Sequence, residues 1–164
     1  MKTINDRDVM WMTRALDEAR LAVTNGELPI AALLVAGDSE IARAQTQTGR
    51  RKSMTGHAEL WTLIEAQKQV YTETRPLTIF TTLEPCLMCL GAAIQCGVDE
   101  IVYAMDAPPD GGTKFAGDIL RGGQRAPSIR RGIMQEQALQ LMREFVTNNQ
   151  KHPGIRYAKL LLPA

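Results

Sequence analysis

At 164 residues, with 45% hydrophobic and 23% charged side chains, the chain has the size and composition of a soluble domain able to bury a core. A formal net charge of +1 gives no whole-protein field for drawing in nucleic acid or an anionic membrane, and no stretch approaches the length of a membrane span. An odd count of three cysteines, with no apolar run at the start, predicts a reducing, cytoplasmic setting without disulfides.

Asn5 or Asp6 can cap a first helix over residues 6–24, where Met10, Ala15, Leu16, Ala19 and Val23 recur at roughly helical spacing and Asn25-Gly26 forms the stop. Residues 29–36 are a nearly continuous apolar run, as a strand covered on both faces requires, and Gly37-Asp38 turns the chain into a second strand over 40–44. The polar, basic run 45–53 reads as a loop. A second helix is predicted over 55–70, capped by Thr55, with His57 and Glu59 in its first turn and Leu60, Leu63, Ile64 and Ala66 packed inward. A third strand over 77–82 leads to a third helix over 86–96, closed by Gly97, and a fourth strand follows at 101–104.

Residues 106–123, rich in glycine and proline, form an irregular connection suited to roofing a pocket. A short strand at 129–132 and a long helix at 135–147, with Ala138, Leu141, Met142 and Phe145 inward, precede a tail that ends in Leu160-Leu161-Leu162. The alternation predicts an α/β fold, a three-layer α/β/α sandwich around a central mixed sheet of about five strands, as one domain spanning 1–164.

Two stretches carry chemistry: His57-Ala58-Glu59 and Thr82-Leu83-Glu84-Pro85-Cys86-Leu87-Met88-Cys89. Cys86 and Cys89 follow a proline where a helix begins, so both sulfurs share one helical face, and the helix N-terminus favours their thiolate form. With His57 they make the three-ligand set of a catalytic zinc, which leaves the fourth tetrahedral position to water. Glu59 is placed to reach that water and to carry protons. A redox pair would want thioredoxin-like flanks, and a structural zinc would want a fourth ligand, for which only Cys96 and His152 remain. Both are read as structural, and Trp11 and Trp61 as core.

His-x-Glu followed by Pro-Cys-x-x-Cys is a known signature of zinc-dependent base deaminases. The chain resembles the cytidine/deoxycytidylate deaminase superfamily, in its branch of tRNA-adenosine, guanine and cytosine deaminases. The likeness runs through Trp11-Met12, Ala15-Leu16, Leu28-Pro29-Ile30-Ala31-Ala32, His57-Ala58-Glu59-Leu60, Thr82 to Cys89 and Gly91-Ala92, and it fades after about Met105. The resemblance implies one Zn2+ per chain on His57, Cys86 and Cys89, catalysis by Glu59, a homodimer, and a base pocket lined near Ala58, Glu84 and Pro29.

Two departures bear on substrate. The branch's base-reading asparagine, about eleven residues before the zinc histidine, is absent, and Gln45-Thr46-Gln47 stands there with Thr46 in register. Residues 145–150, where tRNA-editing members carry a basic, aromatic helix, are neutral with one aromatic. Arg50-Arg51-Lys52 and Arg125, Arg130 and Arg131 are the groups from which a basic patch could form, although such clusters are more often solvated loop charges. The expectation is therefore a free nucleobase or nucleoside as substrate, guanine or cytosine first, with wobble-adenosine editing of tRNA as the alternative. A non-catalytic zinc-stabilised binding module is disfavoured because such a module has no use for Glu59.

Overall fold

Asn5 opens the fold with a capping box: its side chain accepts the Asp8 amide while the Asp8 carboxylate accepts the Asn5 amide. The helix it starts, α1 (Asp6–Thr24), buries Trp11, Met12, Ala15, Leu16, Ala19 and Ala22 along one side. The computed structural model describes residues 5–163, so Met1–Ile4 and Ala164, at the ends of the predicted single domain, lie outside the described residues.

β1 (Ala31–Ala36) is buried along its whole length, and Gly37, at φ +58, turns the chain into β2 (Ser39–Gln45). With β3 (Leu77–Leu83), β4 (Glu100–Met105) and β5 (Ser128–Arg131) they form one five-stranded sheet in the order β2-β1-β3-β4-β5. β1 runs antiparallel to β2 and β3, whereas β3, β4 and β5 are parallel, so the sheet is mixed. Alternate side chains feed two cores. Leu33, Val35, Phe80 and Val102 pack with α1, α6 (Gln135–Asn148) and α7 (Ile155–Leu160). Leu34, Ile79, Ile101 and Tyr103 pack with α3 (Ala58–Glu65) and α5 (Leu87–Gln95). The helices thus cover both faces of the sheet.

The structure departs from the sequence-based expectation in several places, and Met10 and Ile64, expected on the inward sides of their helices, are exposed because each lies off the stripe that meets the sheet. Thr55 does not cap the second helix; His57 does, at φ −76 and ψ 146. Gly56 forces this, because its carbonyl accepts the Gln47 amide (2.7 Å) and the Thr46 hydroxyl (3.2 Å), so the chain is committed to that contact until His57. The predicted helix over 55–70 is also two helices, α3 and α4 (Gln67–Thr72), with a turn at Ala66. The loop at 45–53 holds a short helix, α2 (Thr48–Arg51), whose Gly49 and Arg50 amides donate to the buried carboxylate of Glu27.

Arg130 is not a solvated loop charge: it bridges Asp8 of α1 and Glu100 of β4, and the Asp8 side chain is fully buried. In the tail, Leu161 packs into the chain's own core and Leu160 alone of the three leucines is largely exposed. No helix among the described residues is long and apolar enough to cross a membrane.

Candidate active site

β3 and α3 deliver the site. β3 ends at Leu83, and the turn that follows, Glu84-Pro85-Cys86, hands Cys86 to α5 as its N-cap, with Cys89 three residues on in the first turn. α3 starts alongside, its capping residue His57 aimed at the same point, and the two helices pack together on one side of the sheet. His57 Nδ1 lies 3.5 Å from Cys86 Sγ and 3.6 Å from Cys89 Sγ. All three donor atoms fall within 4.8 Å of one another. A tetrahedral zinc with its usual bond lengths would set nitrogen and sulfur ligands about 3.6 Å apart, so these residues fit that metal as they stand.

Hydrogen bonds from Cys89 and His57 hold the Cys86 thiol down to about 4. The Cys86 thiolate and burial push Cys89 up, and the same Cys86 bond raises His57. One negative charge is therefore already stabilised among the three. Glu59, one residue into α3 from Ala58, is only 4% exposed, and burial raises its carboxyl above the ordinary carboxylate range. The Thr81 hydroxyl of β3 lies 3.3 Å from Glu59 Oε1 and 3.1 Å from the Leu83 carbonyl, so its one proton is shared between the two acceptors. A desolvated carboxylate that holds a proton more readily than usual suits a group that must both take and give one.

The remaining expected site residues separate. Ala58 is fully buried at the start of α3 and Pro29 is buried just before β1, so both offer main chain rather than side-chain chemistry. Gln45 spends its amide on Asn25 and Glu18 at the side of α1. The Thr46 hydroxyl is committed to the Gly56 carbonyl. Gln47 accepts from Arg51, whose guanidinium stacks 4.0 Å over the half-buried Trp61 ring. Glu84 turns its carboxylate onto the loop that follows β4, accepting from the amides of Ala107 (3.1 Å) and Thr113 (3.3 Å).

Besides Thr81, two groups that sequence reasoning missed stand beside the cluster. Asp110, in the same loop, is close enough to help raise His57. Tyr157 of α7 donates its hydroxyl to Asp110 Oδ1 (3.0 Å), and burial together with Asp110, Glu59 and Cys86 pushes that phenol up. The signal for Thr81 was a polar residue inside a wholly buried strand; the signal for Tyr157 was an aromatic set between Arg156 and Lys159 just after Pro153-Gly154.

Comparison with known proteins agrees with this geometry. A tRNA-specific adenosine deaminase of Bacillus subtilis is 30% identical over 142 residues, covering 85% of this chain and 88% of that protein. A tRNA(Ile)-lysidine synthase of Deinococcus radiodurans is 36% identical over 137 residues, or 81% of this chain, although the chain spans only 23% of that relative's length. A solved structure from studies of A-to-I editing by tRNA:A34 deaminases at the wobble position superposes with a TM-score of 0.71 at 28% identity, covering 80% of this chain and 98% of that one. The family described as the cytidine and deoxycytidylate deaminase zinc-binding region matches residues 5–105. Since that match runs from the cap of α1 to the last residue of β4, and so through both halves of the ligand set, the chain belongs to this family of zinc-dependent deaminases.

Proposed function

We propose that the chain hydrolyses the exocyclic amine of adenosine within tRNA, giving inosine and ammonia. Zinc, when bound by His57, Cys86 and Cys89, would supply a water acidified from about 15.7 to near 7. Glu59 takes the proton that water gives up, delivers it to the ring nitrogen next to the amine-bearing carbon, and then protonates the amine as it leaves. The balance is water in and ammonia out, a C–N bond exchanged for a C–O bond.

The observation that carries RNA as the substrate class is a set of exposed cations on α2, which leads into His57, and on α7, which reaches Asp110. α2 presents Arg50 and Arg51, followed by Lys52, on the segment that leads into His57. α7 presents Arg156 and Lys159, both exposed, on either side of the Tyr157 that reaches Asp110. The neutral residues 145–150, which argued against RNA in the sequence, precede α7, the segment whose Tyr157 bonds to Asp110. Two relatives of this chain, the B. subtilis enzyme and the tRNA:A34 deaminase structure, carry tRNA in their names, which supports the same reading.

A free nucleobase or nucleoside is the second reading. It is favoured by the commitment of Thr46 to Gly56 in place of a base-reading amide.

Ammonia release should be measured with an anticodon stem-loop, adenosine, adenine, guanine and cytosine at low and moderate salt. The RNA reading expects the stem-loop to have the highest kcat/KM and to weaken with salt by roughly 0.7 log unit per log unit for each phosphate gripped. A free base turned over faster, with no salt slope, would overturn it.

A further inference from the structure

The loop after β4 does little to hold itself in place. Pro108 and Pro109 contribute no amide donors, and the two glycines at 111 and 112 contribute no side chains. Its internal main-chain bonds run from the Asp110 and Gly111 amides back to the Ala107 carbonyl. Its position comes instead from the metal-binding turn beneath it. Both carboxylate oxygens of Glu84 are used: Oε2 accepts from Ala107 N, and Oε1 accepts from the amide and the hydroxyl of Thr113. The Gly112 amide donates to the Pro85 carbonyl (2.8 Å), and Gly111 forms a β-bridge with Cys86 itself.

The fit leaves no slack. A Cβ on Gly111 would stand 2.1 Å from Glu84 Oε2, and one on Gly112 would stand 2.5 Å from the Leu87 nitrogen. Asp110 lies at the top of this loop, where the hydroxyl of Tyr157 is bonded to it.

We propose that Glu84 is a positioning residue for the deamination: by fastening residues 107–113 onto the Cys86 turn it sets Asp110, and through Asp110 the Tyr157 ring, as the wall of the pocket beside the zinc ligands. Glu84 touches neither the metal cluster nor the substrate space with a free oxygen, so its effect on the reaction passes through the loop. This rests on the zinc-deaminase chemistry alone and holds whether the ring arrives free or in RNA.

The test compares Glu84→Ala, Glu84→Gln, Tyr157→Phe and the double variant Glu84→Ala/Tyr157→Phe, using whichever substrate the wild-type enzyme turns over fastest. Glu84→Ala should keep its zinc, exchange the Ala107 and Thr113 amides faster by about tenfold or more, and lose about 10²-fold in kcat/KM, chiefly through KM. Glu84→Gln keeps an acceptor oxygen and should recover activity to within about tenfold of wild type. Since both residues act through Asp110, the double variant should be no worse than Glu84→Ala alone.

Zinc lost in step with activity would reduce Glu84 to a structural part of the metal turn. A kcat/KM within about threefold of wild type, or penalties that multiply in the double variant, would equally overturn the proposal. Should Glu84→Ala fail to fold, Gly111→Ala displaces the same loop from the other side. A Gly111→Ala enzyme with wild-type amide exchange and KM would contradict the role assigned to the loop.

Discussion

Replacing Glu59 by Gln separates what this residue does for the reaction from what it does for the fold. The carboxyl is 4% exposed, and outside the ligand cluster the Thr81 hydroxyl lies 3.3 Å from it. Glutamine keeps the shape and an acceptor oxygen for Thr81, while removing a group whose charged form is penalised by burial. The fold therefore has nothing to lose, and the melting temperature should hold or rise. The reaction loses its proton carrier, which is worth about 10²–10⁴ in rate, or roughly 3–6 kcal/mol of barrier at about 1.4 kcal/mol per decade. Ammonia release gives the rate, differential scanning fluorimetry the stability, and a chelator-based colour assay the zinc. The expected result is full zinc, unchanged or raised melting temperature and the stated loss of rate. A Glu59→Gln enzyme within tenfold of wild type would remove Glu59 from the proton transfers, and a large loss of stability would show that the charged carboxylate supports the fold.

Other consequences are equally concrete. Cys89→Ser should release the metal and lower the melting temperature, because zinc binding by a preformed site adds to folding; inductively coupled plasma analysis showing full zinc would contradict the ligand set. Arg130→Met strips Asp8 of its partner while leaving that carboxylate fully buried, at a cost of about 3–5 kcal/mol, and activity at low temperature should survive; a denaturant midpoint equal to wild type would refute the buried triad. Replacing Arg50 and Arg51 together by Ala should flatten the salt dependence of stem-loop deamination by up to about one unit of slope for each phosphate those arginines grip, with little effect on free adenosine; an unchanged slope would take α2 out of the RNA surface.

Much of the fold was legible because its signals are local. The apolar run that became β1 and the polar-to-apolar spacing of α1 and α6 are consequences of which neighbours each side chain meets. The ligand set was legible for the same reason, since Pro85 and the Cys-x-x-Cys spacing place both thiols at one helix start. What escaped was set by residues distant in sequence. Gly56 looks like a residue inside a helix start until its carbonyl is seen bonded to Thr46 and Gln47, which moves the cap from Thr55 to His57. Arg130 looks like a loop cation until β5 joins the sheet and brings it to Asp8, 122 residues away. Asp110 carries no motif and Tyr157 only its basic flanks, and they become neighbours of the site only because α7 packs back over the loop after β4.

The identity of the metal ligands is tested most directly by X-ray absorption at the zinc edge of the purified protein. Two sulfur scatterers at about 2.3 Å and one imidazole nitrogen near 2.0 Å, with a light atom completing four-coordination, are the expected shell. Replacing Cys86 or Cys89 by Ser should remove one sulfur or abolish the signal. A shell of nitrogen and oxygen only, or of three or more sulfurs drawing in Cys96, would contradict the site formed by His57, Cys86 and Cys89.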